Sequence, residues 1–212
     1  MAFYIFPRAI PQKDCNKYLK YCLKNANWED ASTIKTGYTD VFADNSSIEE
    51  RKKSQDYNKS VRKTDVSFIH DKDNLMNELV YSYIRKANQC VFNYKLEYFQ
   101  PIQFARYQNG GHYDWHQDSS FHKEGDIVTK NKECRKLSLT MSLTDHTTYD
   151  GGYLEFFNGG KTLKHEQHNV LEDVKAQGSV IVFDSSDWHR VTPVTKGVRY
   201  SIVCWTVGPN FI

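Results

Sequence analysis

The chain has 212 residues, 39% hydrophobic and 14% aromatic, with a formal net charge of +2 from 28 basic and 26 acidic side chains. That composition excludes a disordered chain and is enough for one domain with a buried core. The charge balance argues neither for nor against a polyanionic partner. No run approaches the ~18 apolar residues of a membrane span. The opening stretch MAFYIFPRAIPQKD, broken by Pro7 and Pro11, lacks the long apolar segment of a secretory signal. The cysteines, Cys15, Cys22, Cys90, Cys134 and Cys204, are odd in number and form no CxxC pair. Reduced thiols in a soluble, cytoplasmic protein are the expectation.

In chain order, residues 11–25 place Cys15, Leu19, Cys22 and Leu23 at helical spacing behind Pro11. Residues 43–65 are polar and charged, with Arg51, Lys52, Lys53, Lys59, Arg62 and Lys63. They read as a solvated loop or, alternatively, as a lid or substrate-binding loop. Residues 72–93 form an amphipathic helix on Leu75, Leu79, Val80, Ile84, Ala87 and Val91. Short β-prone runs follow at 97–108, 136–143, 151–157, 178–183, 188–194 and 198–207, separated by glycine turns such as Asn109-Gly110-Gly111, Asp150-Gly151-Gly152 and Lys196-Gly197. The aromatic share also leans towards β structure. The expected architecture is mainly β with some α, a double-sheet jelly roll with packed N-terminal helices, in a single domain over residues 1–212. Within it, residues 1–96 are the helical support region and polar loop, and residues 97–212 the jelly-roll core.

The chemistry gathers around Gly111-His112-Tyr113-Asp114-Trp115-His116-Gln117-Asp118. In extended chain, residues i and i+2 point the same way, so His116 and Asp118 can converge. Asp187-Trp188-His189 opens a late strand and supplies a second imidazole. Two neutral imidazoles and one carboxylate make the facial triad of non-haem Fe(II) oxygenases, with adjacent coordination positions left open. On the next strand Arg199, Ser201, Val203 and Trp205 share a face. An arginine in a strand otherwise built for burial needs an anion, and it binds a carboxylate bidentately. In KLSLTMSL the leucine face is core, while Ser138, Thr140 and Ser142 face either solvent or a polar pocket. Tyr107 ends a strand just before the His-x-Asp loop and can offer its hydroxyl to the same anion.

These residues form a pattern: Tyr107-x-x-Gly110-x-x-Tyr113-x-x-His116-x-Asp118, then Arg135-Lys136-Leu137-Ser138, Tyr149-Asp150-Gly151-Gly152-Tyr153-Leu154, and the run from His189 to Arg199. With it the chain resembles the 2-oxoglutarate- and Fe(II)-dependent dioxygenases of the prolyl 4-hydroxylase type, in particular their PKHD-type hydroxylase branch, over residues 97–207. The resemblance implies iron ligands His116, Asp118 and His189, and Arg199 on the distal carboxylate of 2-oxoglutarate. It also implies Tyr107, Thr140, Ser201 and Trp205 in the cosubstrate pocket. Cofactors would be Fe(II), 2-oxoglutarate and O2, with ascorbate as a supporting reductant. Where animal oxygen-sensing relatives carry a pocket tyrosine, this chain has Ser142, which shifts the anchoring towards Tyr107 and Thr140. The aspartate ligand, absent from halogenase relatives, favours hydroxylation.

The resemblance implies hydroxylation of a peptidyl proline with release of succinate and CO2; a free amino acid or other small molecule is the alternative. A non-catalytic jelly-roll binding module is the reading from another class. No nucleic-acid or membrane partner is expected, since the chain lacks a strong basic footprint. Around the site, His112 reads as a loop or supporting residue, and Asp114 and Asp184 as partners that orient the imidazoles or as turn caps. Trp115 and Trp188 read either as packing behind the ligands or as walls of the substrate cleft. Arg135 reads as a rim salt bridge or a solvated side chain, and His165-Glu166-Gln167-His168 as a solvated loop.

Overall fold

A computed structural model of the chain describes residues 2–31, 60–69, 75–119, 133–157, 168–170 and 172–210. The elements are β1 (Phe3–Phe6), α1 (Gln12–Asn25), β2 (Glu29–Asp30), β3 (Arg62–Lys63), β4 (Asp65–Ile69) and α2 (Leu75–Ala87), which runs on into a π-helical turn at Asn88–Phe92. Then come β5 (Tyr98–Phe99), β6 (Ile102–Gln108), β7 (His112–His116), β8 (Glu133–Ser142), β9 (Asp150–Gly151), β10 (Leu154–Phe157) and β11 (His168–Val170). The chain closes with α3 (Glu172–Lys175), β12 (Val180–Asp184), β13 (His189–Val191), β14 (Val194–Lys196) and β15 (Val198–Pro209). The large sheet runs β1-β12-β8-β15-β6-β4-β2, with β5 added beside β15; the small sheet runs β11-β10-β13-β7-β3, and β14 pairs β9. This is the expected jelly roll with helices packed on it.

Strand alternation divides the large sheet into two faces with different tasks. On one face, Leu137, Leu139 and Met141 of β8, Ile102 and Phe104 of β6, and Ile202 and Cys204 of β15 pack with Cys15 and Cys22 of α1 and Met76, Val80 and Ile84 of α2. The other face looks across to the small sheet. There Ala105, Tyr107, Ile181 and Phe183 meet Leu154, Phe156 and Val191. The hydroxyl side chains of Ser138, Thr140 and Ser142 also lie on this inter-sheet face and are buried. None of the three faces solvent, and of them Thr140 lines the pocket described below, while Ser138 bonds to Asp118 and Ser142 to the Val174 carbonyl.

The helices fall where their periodicity puts them, with two differences in the buried stripe. Leu23 and Val91 are 44% and 45% exposed. The stripe of α1 runs through Cys15, Tyr18, Leu19 and Cys22, so Leu23 turns off its edge. Val91 lies in the π-helical turn, whose wider spacing breaks the 3.6-residue repeat. The region read as helical support also supplies strands: β1, β2 and β4 join the large sheet and β3 the small one. Residues 60–65, read as polar loop, thus enter both sheets, and residues 43–59 of that loop lie outside the described residues. The run 97–108 divides into β5 and β6 around Pro101, which cannot donate to the ladder. No described helix is long and apolar enough to cross a membrane.

Leu139 is fully buried at the centre of the large sheet. Leu139→Ala is expected to lower stability by roughly 2–5 kcal/mol. Leu23→Ala, at an exposed helix position, should stay within about 0.5 kcal/mol. Urea unfolding of the two variants against the parent protein measures both.

Candidate metal centre

The centre is built on the pairing of β7 with β13. Asn109 and Gly110 both have positive φ, 53° and 78°, and the Gly111 amide donates to the Gln108 carbonyl at 2.8 Å. Such a turn suits Asn-Gly, because glycine and asparagine tolerate this conformation. It carries the chain from β6 in the large sheet to β7 in the small one. There His116 stands directly opposite His189, and their ring centroids are 4.1 Å apart.

Each imidazole is held by the same local device. His116 Nδ1 lies 2.7 Å from the Asp114 carbonyl, and His189 Nδ1 lies 2.8 Å from the Asp187 carbonyl. A carbonyl only accepts, so each Nδ1 carries a proton and Nε2 is the ring atom left to face a metal. Both Nε2 atoms face Asp118, at 3.7 Å from Oδ1 and 3.5 Å from Oδ2. One ligand atom from each of the three residues lies within 4.8 Å of the others.

Asp118 lies beyond the end of β7 and is fixed by other means. Its amide donates to the Ser185 carbonyl at 2.9 Å, and Ser138 Oγ donates to its Oδ2 at 2.7 Å. Ser185 Oγ is 2.8 Å from Ser138 Oγ, and Arg135 Nη1 reaches the Asp118 carbonyl at 3.5 Å. Burial by itself would raise the Asp118 pKa, but His189, His116, Arg135 and the Ser138 hydroxyl outweigh it and hold the carboxyl down at about 2. Burial, with His189 next in weight, pushes His116 down to about 3. At neutral pH the set is a carboxylate with a neutral imidazole beside it, the state in which these groups bind a metal. The donor set fits Fe(II).

Arg199 forms the far wall of the same pocket and is 3% exposed. Its Nη1 donates to Ser201 Oγ at 3.1 Å, its Cζ lies 5.2 Å from the Tyr107 ring centroid, and its Nε is buried without a hydrogen-bond partner. Among the described residues it has no carboxylate partner. Tyr107, Thr140, Ser201 and Trp205 all line this pocket, so every residue expected there is brought together. Ser142 is not among them: its hydroxyl donates to the Val174 carbonyl at 2.8 Å. Gly152, at φ +63°, passes so close that an added Cβ would sit 2.9 Å from Arg199 Cδ.

The neighbouring residues divide differently from expectation. The imidazoles are oriented by backbone carbonyls and not by the side chains of Asp114 or Asp184. Asp114 contributes its carbonyl, and Asp184 accepts instead from Ser186 and from the Tyr94 hydroxyl at 2.5 Å. His112 turns away from the centre, its ring nitrogens 3.0 and 3.1 Å from the Gly110 and Ser60 carbonyls. Trp115 packs against Phe157 and under Arg190, and Trp188 is 39% exposed; neither lines the pocket. Arg135 makes no salt bridge among the described residues; it stacks on Trp205 at 4.1 Å and donates to Gln100 at 2.8 Å. Residues 165–167 lie outside the described residues. Among the pocket residues to which the sequence assigned no role are Tyr113, whose ring stacks on His116 at 3.4 Å, and Arg62. Tyr113 stood in the motif and Arg62 in the basic run, which was the only signal for either.

The buried imidazole has a stability consequence. An unfolded histidine protonates near 6.5, whereas His116 resists protonation to about 3. Between those values the unfolded chain binds the extra proton, so stability is lost as pH falls, by up to roughly 1.4 kcal/mol per pH unit. Asp118 acts the same way lower down: its contribution is complete above 3.8 and disappears as pH falls towards about 2. The urea midpoint of chelator-treated protein is therefore expected to drop between pH 7 and 5, and to drop less in His116→Gln. An equal drop in both would show that this imidazole titrates normally.

Comparison with known proteins agrees with this geometry. The profile of the 2OG-Fe(II) oxygenase superfamily matches residues 102–207. A PKHD-type hydroxylase of Teredinibacter turnerae is 36% identical over 112 residues, covering 51% of this chain and 43% of that protein. One from Pseudoalteromonas atlantica is 36% identical over 107 residues, covering 50% and 42%. The chain thus spans less than half the length of these curated relatives. A Pseudomonas putida prolyl-4-hydroxylase superposes with a TM-score of 0.60 at 18% identity, covering 96% of this chain and 91% of that one. A Trichoplax adhaerens prolyl hydroxylase, solved with a hypoxia-inducible-factor peptide fragment, gives 0.63 at 15%, covering 96% and 82%. At those identities the likeness is one of fold. Fe(II), 2-oxoglutarate and O2 are the metal, cosubstrate and oxidant of the matched family. Because its match runs from β6 to β15, and so takes in His116, Asp118, His189 and Arg199, the chain belongs to the 2OG-Fe(II) oxygenase superfamily.

Proposed function

We propose that this chain is an Fe(II)- and 2-oxoglutarate-dependent dioxygenase that hydroxylates a C–H bond of a peptidyl prolyl residue, with succinate and CO2 as coproducts. His116 and His189 hold the iron through Nε2 and Asp118 through its carboxylate. Arg199 takes the distal carboxylate of 2-oxoglutarate, with Tyr107, Thr140, Ser201 and Trp205 around it. The observation that carries this reading is that one pocket contains both a metal-ready donor set and a buried arginine without a carboxylate partner among the described residues. The prolyl assignment is supported by the likeness to proteins described as prolyl hydroxylases. A single catalytic domain over residues 1–212 is supported by β1, β2 and β4 sharing a sheet with β6, β8, β12 and β15. A cytoplasmic location is supported by five free cysteines.

Iron, 2-oxoglutarate and O2, when bound, supply the oxidising chemistry that amino-acid side chains lack. The chain's own residues prepare the place. His189, His116, Arg135 and the Ser138 hydroxyl keep Asp118 ionised, and Ser138 aims it, so no proton need leave it for metal to bind. The carbonyls of Asp114 and Asp187 fix the tautomer of the two histidines. Leu154, Phe183, Val191 and Val203 give the pocket apolar walls that hold water back from the reacting centre.

Purified protein supplied with Fe(II), 2-oxoglutarate and O2 is expected to release succinate slowly even without substrate. His116→Ala should abolish this together with metal binding. Arg199→Met should keep the metal but raise the KM for 2-oxoglutarate by about 30-fold or more, as expected for removal of one partner of a buried charge pair. Metal-loaded protein that releases no succinate would leave the binding-module reading in front. Gly152→Ala is expected to raise the same KM about tenfold, because its methyl displaces the Arg199 side chain. Metal affinity, read by titration, should stay within about twofold in that variant. An unchanged KM would show that the methyl is taken up by Val194, which it meets equally closely at 2.9 Å, without moving the guanidinium.

A further inference from the structure

A second arginine faces the metal pocket, and the reading above gives it nothing to bind. Arg62 lies on β3, the edge strand of the small sheet, directly opposite Tyr113 on β7. Its guanidinium sits 4.4 Å over the Tyr113 ring, and that ring stacks at 3.4 Å and 11° on the His116 imidazole. The cation is thus one aromatic ring away from a metal-ligand side chain. It lines the same pocket as His116, Asp118 and His189, and its Nε is buried without a hydrogen-bond partner. Among the described residues it forms no ion pair. The carboxylates of Asp65 and Glu155 are committed elsewhere, to Arg106 at 2.9 Å and to Arg190 at 2.6 Å. Asp118 is the one acidic side chain among the described residues that line the pocket.

Charge balance then singles out what is missing. With the proposed cofactors in place, Fe(II) and the 2-oxoglutarate dianion neutralise each other, and Asp118 balances Arg199. Arg62 is left as one uncompensated positive charge in a largely apolar, partly dehydrated pocket. Such a charge is unfavourable without an anion and strongly favourable with one. An arginine whose face is stacked on an aromatic ring keeps its N–H edge free, and that edge matches a carboxylate.

We propose that Arg62 recognises the substrate, and that the substrate carries a carboxylate close to the C–H bond that is oxidised. This rests on the dioxygenase chemistry proposed above and leaves its prolyl assignment to the test. The carboxylate can belong to a small molecule, as the α-carboxylate of an amino acid, or to an acidic residue beside the target in a peptide. Both present the same group to Arg62.

The test is calorimetric titration of protein loaded with Zn(II) and 2-oxoglutarate, which binds without turning over. One arm compares N-acetyl-proline, -leucine, -asparagine and -lysine with the matching N-acetyl amino-acid amides. The other compares acetyl-Gly-Pro-Glu-amide with acetyl-Gly-Pro-Gln-amide. In at least one pair the acid is expected to bind about tenfold or more tightly than its neutral partner, and the arm in which this occurs identifies the source. Arg62→Gln should bring that ratio within about twofold, and Arg62→Lys, which keeps the charge but loses the stacked, forked guanidinium, should retain only part of it. A thermal midpoint for each variant near that of the parent verifies the fold. Absence of acid preference in every pair, or a preference that survives Arg62→Gln, overturns the proposal. Succinate release without substrate is a separate readout. Protein that makes succinate but shows no acid preference sinks this inference alone, and protein that makes none sinks the catalytic reading.

Discussion

The antiparallel pairing of His116 with His189 is the constraint on which the site depends. Directly opposed residues of an antiparallel pair point to the same face, with Cβ atoms about 5 Å apart. That spacing suits two imidazoles sharing one metal ion. A slip of one residue between β7 and β13 would turn one histidine out of the sandwich. The register is held from both ends, by the Asn109-Gly110 turn before β7 and by the attachment of Asp118 and Ser119 to the Ser185 carbonyl after it. Once the strands are in register, the carbonyls of Asp114 and Asp187 set the ring orientations without any further side chain.

The large sheet makes this arrangement affordable by dividing its faces. Towards the helices, β8 and β15 present Leu137, Leu139, Met141, Ile202 and Cys204, all fully buried. Towards the small sheet the same strands present Ser138, Thr140, Arg199, Ser201 and Trp205. Buried hydroxyls and a buried guanidinium weaken a core unless they are paired. Here Ser138 holds Asp118, Ser201 holds Arg199, and the apolar layer under the helices supplies the compensating burial. Helices packed behind the sheet thus have a direct physical link to the chemistry in front of it.

Much of the fold was legible because its signals are local. The helices α1 and α2 announce themselves by spacing, and the C-terminal strands by alternation between glycine turns. The N-terminal strands were not legible. Arg62-Lys63 is a polar pair that becomes a strand only because β7 offers it an edge, and Glu29-Asp30 does so only beside β4. Phe3–Phe6 is apolar throughout and takes its place from β12. The exposure of Val91 follows from a π-helical turn that no residue in the segment signals.

For the site itself, the sequence determined the donors. His116 and Asp118 stand at the spacing of extended chain, His189 opens a strand, and Arg199, Ser201 and Trp205 alternate onto one face. These relations hold within a few residues, so the backbone repeat alone reveals them. Tertiary structure alone decided that His189 lies opposite His116, that Ser138 holds Asp118, and that Arg62 reaches the pocket over Tyr113. It also decided that backbone carbonyls, and not the side chains of Asp114 and Asp184, orient the imidazoles. Each of these is a contact between strands or around turns whose partners are set by sheet register, and register comes from packing the whole sandwich, which no local spacing encodes.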